Sequence, residues 1–224
     1  MAKDYQLIIF DWDGTLMDSI GRIVSSMQAT AKALQLPVPL AEAVRDIIGL
    51  SLEPAIGRLF GNLSTADYER FLQVYRDQYV ELDTTPTPLF TGVRSMLTEL
   101  SQRGYQLAVA TGKARRGLDR VLVESELQDF FSVTRCADET RSKPEPHMLH
   151  EIMACTGVSA AATLMIGDSI HDLKMAQAAG VDALGVDFGA HSSAQLLPYQ
   201  PRHILSDWSQ LLAYLDEQNV RSRV

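Results

Sequence analysis

The chain has 224 residues, of which 46% are hydrophobic, with 28 acidic side chains against 20 basic ones and a formal net charge of −8. That composition supports a buried core and argues against wholesale disorder, and without a basic surplus to neutralise a phosphate backbone it argues against nucleic acid as the main partner. Cys136 and Cys155 form neither a disulfide framework nor a zinc-ligand pattern, and no run approaches the ~20 apolar residues that span a bilayer.

Leu7–Phe10 is a short apolar run ending in Asp11-Trp12-Asp13-Gly14-Thr15, which predicts a buried strand that stops in a tight turn. Ile20–Leu36 reads as an amphipathic helix ended by Pro37 and Pro39. Ala41–Ile48, Leu52–Phe60 and Ser64–Leu82 follow with helical spacing. In the last of these, Ser64 and Asp67 suit a capped start, and the stripe Tyr68, Phe71, Leu72, Tyr75 and Tyr79 is read as packing. Thr84-Thr85-Pro86-Thr87-Pro88 is a predicted linker.

Beyond it the texture alternates. Helices are predicted over Gly92–Gly104, Arg115–Ser125, Pro146–Thr156, His171–Ala179 and Trp208–Leu215. Strands are predicted over Gln106–Ala110, Ser132–Ala137, Thr163–Ile166, Val181–Val186 and His203–Leu205. Such alternation indicates an α/β fold with a doubly wound, mostly parallel, Rossmann-like sheet. One helix suffices to cross between neighbouring parallel strands, yet four precede the second strand. The expected organisation is therefore an α/β catalytic core of residues 1–15 and 87–224 with an inserted all-helical cap of residues 16–86. The cap is expected above the C-terminal strand ends, where open α/β sheets bind ligands.

Asp11, Thr111 and Asp168 each follow directly from a predicted strand, so a parallel sheet brings them to one edge. Lys143, in the loop Asp138–Pro144, is within reach of that edge. The set holds Asp11, Asp13, Asp168 and Asp172, a hydroxyl and an ammonium. Two carboxylates about 4 Å apart repel by ~4 kcal/mol at an effective dielectric near 20. A hard divalent cation with oxygen ligands relieves that repulsion, and the pattern predicts Mg²⁺.

Phe10-Asp11-Trp12-Asp13-Gly14-Thr15-Leu16, Thr111, Lys143-Pro144 and Gly167-Asp168-Ser169-Ile170-His171-Asp172 closely resemble the four motifs of the haloacid dehalogenase-like hydrolases. The resemblance runs from about residue 6 to residue 187 and points to the phosphatase branch with a helical cap, similar to phosphoglycolate phosphatases. It implies that Asp11 is a nucleophile forming a phosphoaspartate, and Asp13 the acid and then the base. Thr111 and Lys143 are implied to hold phosphoryl oxygens, and the backbone N–H groups of Trp12, Asp13 and Gly112 to add phosphate contacts, with Gly14 in the same substrate-binding set. Asp11, the Asp13 carbonyl, Asp168 and, through water, Asp172 are the implied Mg²⁺ set. An aspartate at position 13 suits phosphate-ester chemistry, since dehalogenase relatives need no acid there.

Other features carry less. Thr111-Gly112-Lys113 is not a Walker loop, because Leu107 stands where its first glycine belongs. Gly167-Asp168-Ser169 lacks the Gly-x-Ser-x-Gly spacing of a nucleophile elbow. His171 is read as a solvated helix position and Arg115 and Arg116 as a charged helix face, while Gly49-Leu50-Ser51, with Arg45, can reach the site mouth. The alternatives are a phosphomutase of the β-phosphoglucomutase type and a receiver-like phosphoacceptor module. The expected partner is a small phosphorylated metabolite, with no nucleic acid and no membrane. The expected setting is cytoplasmic, as a monomer or weak homodimer.

Overall fold

The computed structural model describes residues 4–222. In chain order the elements are β1 (Leu7–Phe10), α1 (Ile20–Ala33), α2 (Ala41–Arg45), α3 (Leu52–Phe60), α4 (Thr65–Asp77) with a π-helical turn at Gln78–Leu82, then α5 (Val93–Gln102), β2 (Gln106–Thr111), α6 (Arg115–Glu124), β3 (Val133–Cys136) and α7 (His147–Thr156). The chain closes with β4 (Thr163–Gly167), α8 (Ile170–Ala179), β5 (Asp182–Val186), α9 (Ser193–Leu196), β6 (His203–Leu205) and α10 (Ser209–Ser222).

The six strands form one parallel sheet in the order β3-β2-β1-β4-β5-β6. The central strands are unbroken apolar runs because helices cover both of their faces. Ile8, Phe10, Leu107 and Val109 pack with Leu97 of α5, Leu118 of α6 and Leu211 of α10. Leu7, Ile9, Ala108 and Met165 pack with Leu149 of α7, Leu173 of α8 and Leu196 of α9. β1 pairs with both β2 and β4, which leave it in opposite directions across the sheet. Asp11 therefore stands at the topological switch point, where such sheets bind ligands.

The helices between β1 and β2 have an apolar cluster of their own, built on Met27, Val44, Ile56 and Phe71. Within it Phe71 lies 5.1 Å from Phe60 and 6.5 Å from Tyr75 between ring centroids, so the aromatic stripe is packing as expected. The chain leaves the sheet and returns to it side by side: Met17 bridges Leu89, and Asp18 N donates to Pro88 O at 2.8 Å. The Thr/Pro stretch predicted as a linker is pinned. Arg22 Nε donates to Thr85 O at 2.6 Å, and Asp83 accepts Ser25, Ser26 and the Thr85 N–H. Burial alone raises the Asp83 pKa, but the hydrogen bonds, from Ser25 first and then Thr85, outweigh it and bring the value to about 2.

Several helix ends differ from expectation. α1 stops at Ala33, where the next turn closes through Gln35 at φ 57°. α2 ends at Arg45, and the predicted Ser64–Leu82 helix divides into α4 and the π turn. The closing helix starts at Ser209 and runs on to Ser222. α9 escaped notice because four residues are too few for periodicity; it forms through a Ser192–Gln195 capping box. Among the described residues no helix is long and apolar enough to cross a membrane. Phe71→Ala should cost about 3–5 kcal/mol of stability in urea unfolding, as deletion of a fully buried ring does. A loss under about 1 kcal/mol would contradict this packing.

Candidate active site

Asp11 leaves the sheet still tied to β4, its N–H donating to Ile166 O at 2.9 Å. The next side chain, Trp12, turns into the core, fully buried, with Nε1 3.4 Å from Met17 Sδ. Only its backbone is available to a ligand, and the N–H groups of Trp12 and Asp13 meet no acceptor among the described residues. Gly14 then reverses the chain at φ +78°, and a Cβ there would fall 2.1 Å from Asp168 Oδ2. No other residue fits so close to that carboxylate.

One oxygen from each of Asp11, Asp168 and Asp172 lies within 4.8 Å of the others, and all three residues are buried. Lys143, only 2% exposed, places Nζ 2.7 Å from Asp11 Oδ1 and 2.7 Å from Asp172 Oδ1. Lys143 is thus the one cation at Asp11 Oδ1, and Asp11 Oδ2 has no partner among the described residues. Asp168 is held by Thr15 Oγ1 at 3.1 Å and Ala190 N–H at 2.6 Å. Asp172 Oδ2 accepts the Ser169 N–H at 3.0 Å and Oγ at 2.6 Å, closing a capping box on α8.

Burial pushes the Asp11 carboxyl up to about 7; Lys143 opposes the rise and the negative charge of Asp172 adds to it. Asp168 is raised well above the ordinary range, by burial first and by Asp11 and Asp172 next. Burial works against the Lys143 charge, yet Asp11 and Asp172 outweigh it and hold the ammonium above the usual lysine range. Thr111 is buried at the end of β2, beside β1, where its Oγ1 accepts the Lys113 N–H at 3.2 Å.

Asp13 lies further out. Its Oδ1 accepts Ser19 Oγ at 2.5 Å and lies 2.8 Å from Lys113 Nζ. The ammonium of Lys113 in turn sits 5.2 Å from the ring centroid of Tyr79. The loop Gly49–Ser51, from the helices between β1 and β2, meets the segments that follow β2 and β3: a Cβ on Gly112 would fall 2.7 Å from Gly49 O, and Ser51 N donates to Ser142 Oγ at 3.0 Å. This loop lies against Gly112 and Ser142, whereas Arg45 makes no side-chain hydrogen bond or ion pair among the described residues.

His171 departs from the sequence reading. It is 1% exposed, not solvated, because Nε2 meets Asp46 O at 3.0 Å and the ring packs against His191. Arg115 is structural as expected, paired with Glu139 at 2.7 Å and with Asp119. Lys113, Ser19, Tyr79 and His191 were missed as site residues. Only Lys113 carried a signal, its place directly after Thr111-Gly112.

The raised carboxyls set a pH dependence in divalent-free buffer. With a folded-state pKa of about 7 against 3.8, Asp11 binds more protons folded than unfolded between those values. Its contribution is present at acid pH and is lost as pH rises through about 7, on the order of 4 kcal/mol, with Asp168 acting in the same direction. Burial lowers the pKa of His171 and His191, which works the other way between pH 5 and pH 8, so the test is a comparison: in EDTA, urea unfolding should show stability falling more, or rising less, from pH 5 to pH 8 in the wild type than in Asp168→Asn. The same pH dependence in both proteins would refute the assignment.

A family model described as haloacid dehalogenase-like hydrolase matches residues 8–186. "Probable phosphatase IndB" of Dickeya dadantii is 36% identical over 212 residues, covering 92% of this chain and 91% of that protein. A phosphoglycolate phosphatase of Psychrobacter arcticus is 29% identical over 222 residues, covering 95% and 96%. A pyrophosphatase, PpaX, of Bacillus mycoides is 29% identical over 213 residues, covering 95% and 97%. Among solved structures, the haloacid dehalogenase-like family protein SP0104 from Streptococcus pneumoniae superposes with a TM-score of 0.81 at 28% identity, covering 94% of this chain and 98% of that one. With its motifs gathered at the switch point of a six-stranded parallel sheet, this chain belongs to the haloacid dehalogenase-like hydrolases, as an enzyme of their phosphatase branch.

Proposed function

We propose that the chain is a Mg²⁺-dependent phosphatase that hydrolyses a small phosphate monoester through an aspartyl-phosphate at Asp11, in the manner of a phosphoglycolate phosphatase. The observation that carries this reading is the Asp11 carboxylate: buried, with Oδ1 2.7 Å from a buried ammonium and Oδ2 without a partner among the described residues. Its lone pairs are free to attack, and Lys143 offsets the repulsion between carboxylate and phosphate.

The donor set fits Mg²⁺. Three carboxylates face one ammonium, a surplus of two negative charges when all are ionised, and every donor is a hard oxygen. Asp11, Asp168 and the Asp13 carbonyl would hold the ion directly. Asp172, already engaged by Lys143 and Ser169, would contribute through water. When bound, Mg²⁺ supplies charge neutralisation on the phosphoryl oxygens.

The residues divide the reaction between them. An Asp11 oxygen forms a bond to phosphorus as the bond to the leaving oxygen breaks, and Asp13 gives that oxygen its proton. In the second half Asp13 takes a proton from water, the water oxygen bonds to phosphorus, and the Asp11–phosphorus link breaks to release phosphate. Thr111, Lys143 and the N–H groups of Trp12, Asp13 and Gly112 hold the phosphoryl oxygens, with Gly14 turning the chain beneath them. Residues 16–86 serve as a cap over the site. The proposed setting is the cytoplasm, with the enzyme acting as a monomer or weak homodimer. The names of the relatives, which include phosphoglycolate phosphatases and a pyrophosphatase, support a small phosphorylated metabolite as substrate.

Phosphate release from a metabolite panel with Mg²⁺ tests the reading. Asp11→Asn should lower kcat by about 10³-fold or more, as loss of a nucleophile does. EDTA should abolish turnover, and Mg²⁺ should raise the melting temperature of the wild type more than that of Asp168→Asn. Full activity in Asp11→Asn, or indifference to EDTA, would exclude the mechanism.

A further inference from the structure

Asp13 is held by one oxygen. Oδ1 takes the Ser19 hydroxyl at 2.5 Å and the Lys113 ammonium at 2.8 Å, whereas no donor among the described residues meets Oδ2. A carboxyl group carries its proton on one oxygen, and an oxygen already facing two donors is the wrong one to carry it. The arrangement leaves Oδ2 to hold the proton and face a leaving oxygen.

We infer that Lys113 is a positioning residue, which with Ser19 fixes the Asp13 carboxyl so that Oδ2 is the proton-bearing atom. The inference rests on the proposed role of Asp13 as acid. Lys113 is well placed for the task. Its backbone is tied at both ends, N–H to Thr111 Oγ1 at 3.2 Å and carbonyl to Ala137 N at 3.0 Å. Its ammonium is little exposed, and Asp13 is the one carboxylate paired with it among the described residues. Tyr79 closes the other side, with its ring centroid 5.2 Å and its hydroxyl 3.5 Å from Nζ.

The guanidinium groups of Arg22 and Arg120 stand 5.8 and 5.9 Å from the same ring centroid and discourage the ammonium from swinging their way. Asp13 and Lys113 lie in the loops that follow β1 and β2, while Ser19 and Tyr79 belong to the helical insertion. The Asp13 carboxyl is thus held from both sides, by Ser19 of the insertion and by Lys113 after β2.

Positioning of an acid shows itself in the leaving group. 4-Nitrophenolate departs without a proton, but an alkoxide does not, so kcat/KM is measured for 4-nitrophenyl phosphate and glycerol 2-phosphate. Neither substrate carries an anionic group other than its phosphate that Lys113 could bind for its charge. Lys113→Met should lower kcat/KM for glycerol 2-phosphate about tenfold or more, a part of the roughly 10²–10⁴-fold that a general acid contributes, and for 4-nitrophenyl phosphate by no more than about twofold. Lys113→Arg should recover most of the loss. Ser19→Ala, which removes the other donor to Oδ1, should show the same selectivity and serves if Lys113→Met does not fold.

Asp13→Asn should show a larger loss of the same kind. If Asp13→Asn affects both substrates alike, Asp13 is not the acid, and the inference falls together with that assignment. If Asp13→Asn is selective but Lys113→Met and Ser19→Ala lower both substrates equally, or neither, the inference alone is overturned.

Discussion

A buried ammonium between two buried carboxylates governs the architecture of the site. Lys143 contacts Asp11 and Asp172 with almost no exposure to water, and any of the three left alone in that place would cost several kcal/mol. The pairing requires three distant segments to end at the same height above the sheet. Parallel strands achieve this for Asp11 after β1 and Asp172 beyond β4, because their ends point one way. Lys143 comes from a loop instead, and that loop has to be held. Arg115 reaches from α6 to Glu139, whose carboxylate also accepts the Cys136 N–H at 2.9 Å. Glu151 of α7 binds Arg135 at 2.7 Å and the Thr140 hydroxyl. These half-exposed ion pairs contribute little stability individually. Their consequence is positional, since they fix both flanks of the segment that delivers the lysine.

The helical insertion is joined to the sheet in two different ways. At its root the outgoing and returning strands bridge each other, and Asp83 gathers hydrogen bonds from α1 and from the chain leading back. At its far side the contacts are made through small groups and backbone: Gly49 against Ser169, Gly112 beneath the Gly49 and Leu50 carbonyls, and Asp46 against His171 and His191. A glycine at position 112 lets the insertion approach to a distance that a Cβ would forbid. Burial lowers the pKa of both histidines, favouring the neutral form suited to this dry seam.

The strands and the acids that follow them were legible because both depend on local pattern. A strand covered on both faces must be apolar throughout, so the first aspartate after Leu7–Phe10 marks where the sheet stops. Asp168 was legible for the same reason, and Lys143 through its place beside Pro144. What stayed hidden depends on pairing across the chain. Tyr79 fits a helical stripe and gives no sign that its ring also faces Lys113. His171, between Ile170 and Asp172 on a helix, reads as solvated until Asp46, far away in sequence, supplies its partner. Helix ends were misplaced where tertiary contacts or a single left-handed residue, as at Gln35, decided the boundary.

Two aspartates separated by one residue thus come to occupy unlike surroundings, and the tryptophan between them is the cause. Its side chain fills the core under the turn, so the backbone at position 12 is fixed and the carboxylates on either side diverge. Asp11 is driven inward against an ammonium on Oδ1, which leaves Oδ2 uncommitted. Asp13 is turned outward to two donors on a single oxygen. An uncommitted carboxylate suits bond formation to an electrophile, and a half-anchored one suits carrying a proton. The proposed division of labour therefore needs no difference in residue type. It follows from where one large apolar side chain packs.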